Sequence, residues 1–197
     1  MARGDKGTKR RDSIVDEATR LFAERGYEGA SMADLAERVG LRKASLFHHF
    51  PSKEQLYAAV LERPVKDVRD AMESAAKSNE SSFEQRLDAL TDALVGVLGA
   101  QPYAARLLVR EAIESTGSTA IDEVLAAAER FLKERSAVDH GELRHVVMSI
   151  VGVCFMPFTI SGVVQRYVGG DPFSGALLDA RKRAVRSHVR NLVRRPS

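Results

Sequence analysis

At 197 residues, 44% hydrophobic and 29% charged, the chain suits one large domain or a small one joined to a medium one, and its composition is not that of a disordered chain. The one cysteine, Cys154, excludes an internal disulfide, and the hydrophilic start MARGDKGTKRRDS does not read as a secretory signal, so a cytoplasmic location is expected. The net charge of +3 is uneven: residues 1–53 carry 11 Lys/Arg against 8 Asp/Glu, residues 54–180 carry 12 against 19, and residues 181–197 carry 7 against none. A basic module on an acidic body points to an anionic partner, or to uneven solvation of surface helices.

Helical periodicity recurs along the chain and no strand-like alternation persists. Ile14, Val15, Ala18, Leu21 and Phe22 fall on one face of a first helix that ends at RGYEG, where Gly26 can take a positive φ. Ser31 opens a second helix, with Asp34 three residues on as an acidic variant of the capping box. Met32, Leu35, Ala36 and Val39 are its apolar face and Gly40 ends it. A third helix spans about 42–49, and Pro51 stops it. Ser52 caps a long fourth helix, about 53–76, in which Pro64 predicts a kink that sets the helix angle. Further helices are predicted at about 82–99, 102–115, 119–136, 142–167 and 173–194, separated by GAQP, STGS, AVDHG and GGDP. The expected fold is all-α with about nine helices: a three-helix module, residues 1–53, leading into a larger bundle, residues 54–197.

Residues 31–50, SMADLAERVGLRKASLFHHF, have the layout of a helix-turn-helix, in which the second helix enters the major groove led by its N-terminal residues. Arg42, Lys43 and Ser45 would then read bases, Arg42 through guanine O6 and N7, while Leu46 and Phe50 face inward. The longer stretch SMADLAERVGLRKASLFHHFPSKEQLYAAV closely resembles the DNA-binding signature of the TetR (tetracycline-repressor-like) family of transcription regulators. IVDEATRLFAERGYEGAS resembles that family's first helix and its exit, so the likeness covers about residues 8–60. It implies that Phe47 and His48 lie against the DNA backbone, and that Lys53 contacts phosphate. Ser31 and Met32 would occupy the backbone-facing start of the second helix, where free N–H groups favour an anion. The basic residues Arg3, Lys6, Lys9, Arg10 and Arg11 would add nonspecific affinity or reach a minor groove. The chain departs from the family pattern at Arg42, where a small N-cap is common, at Ala44 in place of glycine, and at Phe47 in place of tyrosine. These departures prevent transfer of any operator sequence.

The resemblance further implies a dimeric, one-component regulator, most simply a repressor, that binds a pseudo-palindromic operator in double-stranded DNA. An effector among the middle helices would move the fourth helix. Leu94, Leu98, Leu107, Glu111, Phe131, Phe155 and Phe158 are candidate pocket residues, for an apolar or amphipathic small molecule, and the same residues would serve as plain core. The apolar run 148–164 falls short of a membrane span and contains Pro157; it reads as core on one side and partner interface on the other. By resemblance, 142–167 and 173–194 form the homodimer interface. His48 and His49 point apart on a helix and make a poor metal pair, and no metal is expected. Cys154 reads as a buried structural thiol, and the basic tail 181–195 as surface that pairs with the acidic body. No catalytic constellation is present, so neither an enzyme activity nor a cofactor is expected. The alternative is a DNA-binding protein of the same fold with no small-molecule effector.

Overall fold

A computed structural model describes residues 3–77, 82–101, 103–114, 119–133, 138–139 and 141–193, and among these every regular element is helical. Ten helices are present among them: α1 (Arg3–Gly29), α2 (Met32–Arg38), α3 (Lys43–His49), α4 (Lys53–Lys77), α5 (Phe83–Ala100), α6 (Ala104–Glu114), α7 (Thr119–Lys133), α8 (Leu143–Thr159), α9 (Ser161–Val168) and α10 (Gly175–Val193). In α1 the predicted face is buried, and the helical backbone breaks at Gly26, where φ is +73°. That left-handed backbone is what requires glycine; a Cβ there would also stand 2.5 Å from the Arg110 guanidinium, the mobile end of a side chain that can give way. Ser31 caps α2 by accepting the Asp34 N–H at 3.0 Å, while the Asp34 carboxylate accepts from Arg25 at 2.8 Å. At Ser82 a complete capping box opens α5, with Gln85 as the returning side chain. The fourth helix continues through Pro64 with helical backbone on both sides.

Three apolar clusters hold these helices. The first joins α1 to α4 through Ile14, Phe22, Leu35, Leu46, Phe50, Leu56 and Val60, and takes in Leu107 from α6. The second packs α5, α7, α8 and α10 around Leu98, Leu132, Val147, Phe158, Val185 and Val189. The third joins Val68 and Met72 of α4 to Leu90 and Leu94 of α5, with Phe131 of α7 against them. Burying each such Leu, Val or Phe stabilises the fold by roughly 1.5–3 kcal/mol. The α4 helix thus belongs to two cores, and α6 touches the first of them from the other half of the chain.

The predicted single helix over 142–167 is two, α8 and α9, bent by 80° at Ile160. The cause is local. Pro157 has no N–H to offer the Val153 carbonyl one turn back, and that carbonyl instead accepts from Nη2 of Arg181 on α10. Thr159 Oγ1 donates to the Met156 carbonyl at 2.8 Å, which occupies a second group near the helix end. No single helix among the described residues is long and apolar enough to cross a membrane; α8 and α9 reach that length only together, across the bend.

Cys154 is 1% exposed, and burial pushes its thiol up to about 12, against the opposing pull of the nearby Arg181 charge. At pH 8 the folded protein is expected to resist a thiol-alkylating reagent, with one equivalent incorporated only on denaturation. Prompt labelling of native protein, read by mass spectrometry, would contradict that placement.

Candidate nucleic-acid interface

The turn between α2 and α3 is built by hydrogen bonds that finish α2. Gly40 sits at φ +63°; its N–H donates to the Glu37 carbonyl at 3.1 Å, and that of Leu41 to the Ala36 carbonyl at 2.8 Å. This pair is the Schellman pattern, and it closes a helix with a left-handed residue that glycine adopts freely. The chain then enters α3 at Arg42, whose extended backbone (φ −69°, ψ 143°) makes it the N-cap, with no side-chain capping bond. The Arg42 side chain therefore has no local duty. Arg42, Lys43 and Ser45 are all exposed at the start of α3, while Leu46 and Phe50 are buried beneath them. Phe47 is half-buried, and the Lys43 ammonium lies 5.8 Å from its ring centroid. His48 is exposed; its ring stands 6.0 Å from that of His49 at 61°. Among the described residues no group of three His, Cys, Asp or Glu is placed to hold a metal ion. The Met32 side chain is 8% exposed and belongs to the first core, so only its main chain can meet a phosphate.

At the start of α4, Ser52 Oγ accepts the Gln55 N–H at 3.2 Å. Lys53 places its ammonium 4.3 Å from the centroid of the Tyr27 ring. The Tyr27 hydroxyl donates to Glu54 at 2.9 Å. The Glu54 carboxyl is held below its usual range by hydrogen bonds from Ser52, from its own backbone and from Tyr27; burial, then Glu54, raises the Tyr27 phenol. Three other acids of the module are neutralised by their own partners: Glu17 and Glu24 by Arg38, at 3.3 and 3.1 Å, and Asp34 by Arg25. Among the described residues Arg42 forms no ion pair, so the N-terminal end of α3 keeps its positive charge.

Arg10 and Arg11 are not a loose basic arm. They belong to α1, and they bond the ends of the two helices above: Arg10 Nη2 to the Val39 carbonyl at 3.1 Å, Arg11 Nη1 to the His49 carbonyl at 2.9 Å. The side chains of Arg3 and Lys6 lie outside the described residues. Nothing in the sequence pattern distinguishes a cation that caps from one that binds phosphate, since both need only charge.

The middle helices enclose two apolar cavities of about 50 and 90 Å³. Val68, Val124, Leu125, Val151 and Phe155 line both. The first is completed by Leu94, Phe131, Cys154 and Thr91, whose hydroxyl is already spent on the Leu87 carbonyl at 2.7 Å. Three of the seven candidate pocket residues, Leu94, Phe131 and Phe155, are brought together here. The other four lie elsewhere. Leu98 is in the second core and Leu107 in the first, each fully buried. Phe158 packs on Phe173 at 5.7 Å. Glu111 accepts the Tyr57 hydroxyl at 2.7 Å, tying α6 to α4. The residues missed, chiefly Val68, Val124 and Val151, look like any helix core residue in sequence; only the meeting of α4, α7 and α8 leaves a gap beside them.

On α10, Arg190 forms a two-pronged pair with Asp88, and Arg186 lies 3.4 Å from Asp92, both acids on α5. Arg194 and Arg195 lie outside the described residues. Large apolar side chains stand exposed along α8 and α9: Met148 57%, Met156 55%, Val163 51% and Tyr167 91%.

Residues 14–60 match the model of a family described as bacterial regulatory proteins, tetR family. The HTH-type negative transcriptional regulator IcaR of the biofilm operon icaADBC in Staphylococcus aureus is 38% identical over 80 residues, so that the chain spans 41% of that relative's length. The HTH-type transcriptional repressor AcnR of Corynebacterium glutamicum is 32% identical over 184 residues, covering 89% of this chain and 90% of that one. Among solved structures, a TetR-like transcriptional regulator from Rhodococcus sp. RHA1 superposes with a TM-score of 0.68 at 19% identity, covering 92% of this chain and 94% of that one. At that identity the likeness speaks to the fold alone.

Proposed function

Since the chain belongs to the TetR family of bacterial regulatory proteins, we propose that it is a repressor that binds a pseudo-palindromic DNA operator as a homodimer and is released by a small apolar effector. The observation that carries the DNA reading is the start of α3: Arg42, Lys43 and Ser45 exposed above a buried Leu46 and Phe50. In this arrangement Arg42 and Lys43 read base edges, while Phe47, His48, Lys53 and the first turn of α2 at Ser31 and Met32 meet the backbone. A two-fold dimer presents two such helices about one helical turn of DNA apart.

The dimer reading places α8, α9 and α10 at the two-fold contact. Residues 146–165 contain no charged side chain, and Met148, Met156, Ile160 and Val163 are exposed within that run. An uncharged apolar surface of that kind favours burial against its own copy. The effector reading rests on the paired cavities, whose walls are almost wholly apolar. Leu108, Val109 and Ala112 of α6 line the larger one, while Leu107 of the same helix sits in the first core and Glu111 holds Tyr57. A ligand that displaced α6 would therefore shift α1 and α4 together. It would act only if it favoured the arrangement that fits DNA poorly. The cavities are smaller than the roughly 300–1,000 Å³ of drug-sized sites. That favours either a ligand that opens them or the second reading, a regulator of the same fold with no effector.

The test is selection of bound duplexes from a random DNA pool, with the affinity of the recovered sequences measured against salt. A two-fold symmetric site with a steep salt dependence is the expected outcome. Recovery of no preferred sequence by folded protein would sink the repressor reading.

A further inference from the structure

We infer that Arg10 and Arg11 are positioning residues that set the recognition helix rather than contacts to DNA; the inference rests on the DNA-binding reading above. The two arginines are neighbours on α1, so their side chains leave the helix about 100° apart. One reaches the end of α2 and the other the end of α3. Arg10 donates to the carbonyl of Val39, the C-cap residue of α2. Arg11 donates to the carbonyl of His49, the last residue of α3, and lies with its guanidinium carbon 4.1 Å from the centroid of the Phe50 ring.

The chemistry suits both ends. The last carbonyls of a helix have no intrahelical donor, and a cation is favoured there by the helix dipole. A bond from a guanidinium to such a carbonyl is charge-assisted. The α3 helix has seven residues and is too short to hold its own shape. Within it only Leu46 is buried, with Phe50 following as the C-cap. Its orientation therefore depends on those two side chains and on what grips its ends. At the N-terminal end Arg42 makes no capping bond; at the C-terminal end Arg11 supplies both a hydrogen bond and a lid on Phe50. Because Arg10, the preceding residue of α1, holds Val39 at the end of α2, the two arginines fix the angle between α2 and α3 against one rigid helix. That angle decides whether Arg42 and Lys43 meet the groove.

The experiment uses the full chain and the duplex recovered by selection. Arg11→Ala and Arg10→Ala are each measured for affinity to the preferred duplex and to an unrelated duplex across a salt series. Amide hydrogen exchange is followed in the DNA-free protein. Affinity for the preferred duplex is expected to fall roughly tenfold in Arg11→Ala. Binding to the unrelated duplex and the slope of log K against log salt should stay as in the parent. Exchange of the α3 amides should quicken while that of α8 and α10 does not change. A direct phosphate contact would instead weaken both duplexes alike and lower the slope by about 0.9, with α3 exchange unaltered; that result overturns the proposal. So does a variant that matches the parent in every readout. Should the parent protein recover no preferred duplex, the regulator reading has failed on its own, and unchanged α3 exchange in Arg11→Ala would still overturn the positioning role.

Discussion

Leu46→Ala is expected to destabilise the N-terminal unit by about 2–5 kcal/mol and to abolish sequence-specific DNA binding. Leu46 is 0% exposed and is the one buried residue within α3. It belongs to the first core, built with residues of α1, α2 and α4, where Ile14, Leu35, Leu56 and Val60 are also fully closed off from solvent. Truncation leaves a cavity at the place where a seven-residue helix is anchored, so loss of packing and loss of orientation coincide. Denaturant unfolding followed by far-ultraviolet dichroism should give an earlier first transition, with the α5–α10 bundle still folded. Ala44 on the same helix is exposed, so Ala44→Ser should change stability by less than about 0.5 kcal/mol. An unchanged unfolding midpoint for Leu46→Ala would contradict the packing of α3 described above.

Replacing Arg42 with alanine is expected to do the opposite: leave stability alone and remove recognition. Arg42 is exposed and caps nothing with its side chain, so the melting temperature should stay within the range of ordinary surface changes. Affinity for the preferred duplex should fall by about 1–3 kcal/mol, and selection repeated with the variant should show relaxed preference at one position of each half-site. Lys53→Ala is the control of different kind. If Lys53 contacts phosphate as proposed, the variant should weaken all duplexes alike and lower the salt slope by about 0.9. If Arg42→Ala also weakened all sequences equally, the assignment of base reading to the start of α3 would be wrong.

These two variants separate what a single loss of DNA binding would confuse. On the proposed reading Leu46 acts by holding α3, Arg42 by touching the base edges. Arg11 belongs with Leu46 in effect, although its charge and its place in the sequence put it beside the cations proposed to bind phosphate. Charge alone could not sort it, because the His49 carbonyl that it grips is 38 residues away.

Local chemistry made the helices legible. Ser31, Ser52 and Gly40 mark ends by hydrogen bonds and a positive φ that reach no further than a few residues. The apolar faces of α1 and α2 follow from a 3.6-residue period that any amphipathic helix must show. The tail of Arg186 and Arg190 against the acidic body was legible too, as charge seeking its opposite, though not which acids, Asp92 and Asp88. The break at Ile160 was only half visible. Pro157 announced a missing donor, but the bend depends on Arg181 of α10 taking up the orphaned Val153 carbonyl.

By itself, then, the sequence determined an all-α chain, its helix-turn-helix and the exposed residues at the head of α3, because these depend on periodicity, caps and exposed charge within one short stretch. Only the tertiary structure decided which of Leu94, Leu98, Leu107, Phe131, Phe155 and Phe158 face a cavity and which fill a core. It alone decided that Glu111 serves Tyr57, 54 residues away, and that Arg10 and Arg11 serve helix ends. The physical reason is the same in each case. A buried leucine and a cavity leucine have the same side chain and the same helical phase, and differ only in what the distant helices leave beside them.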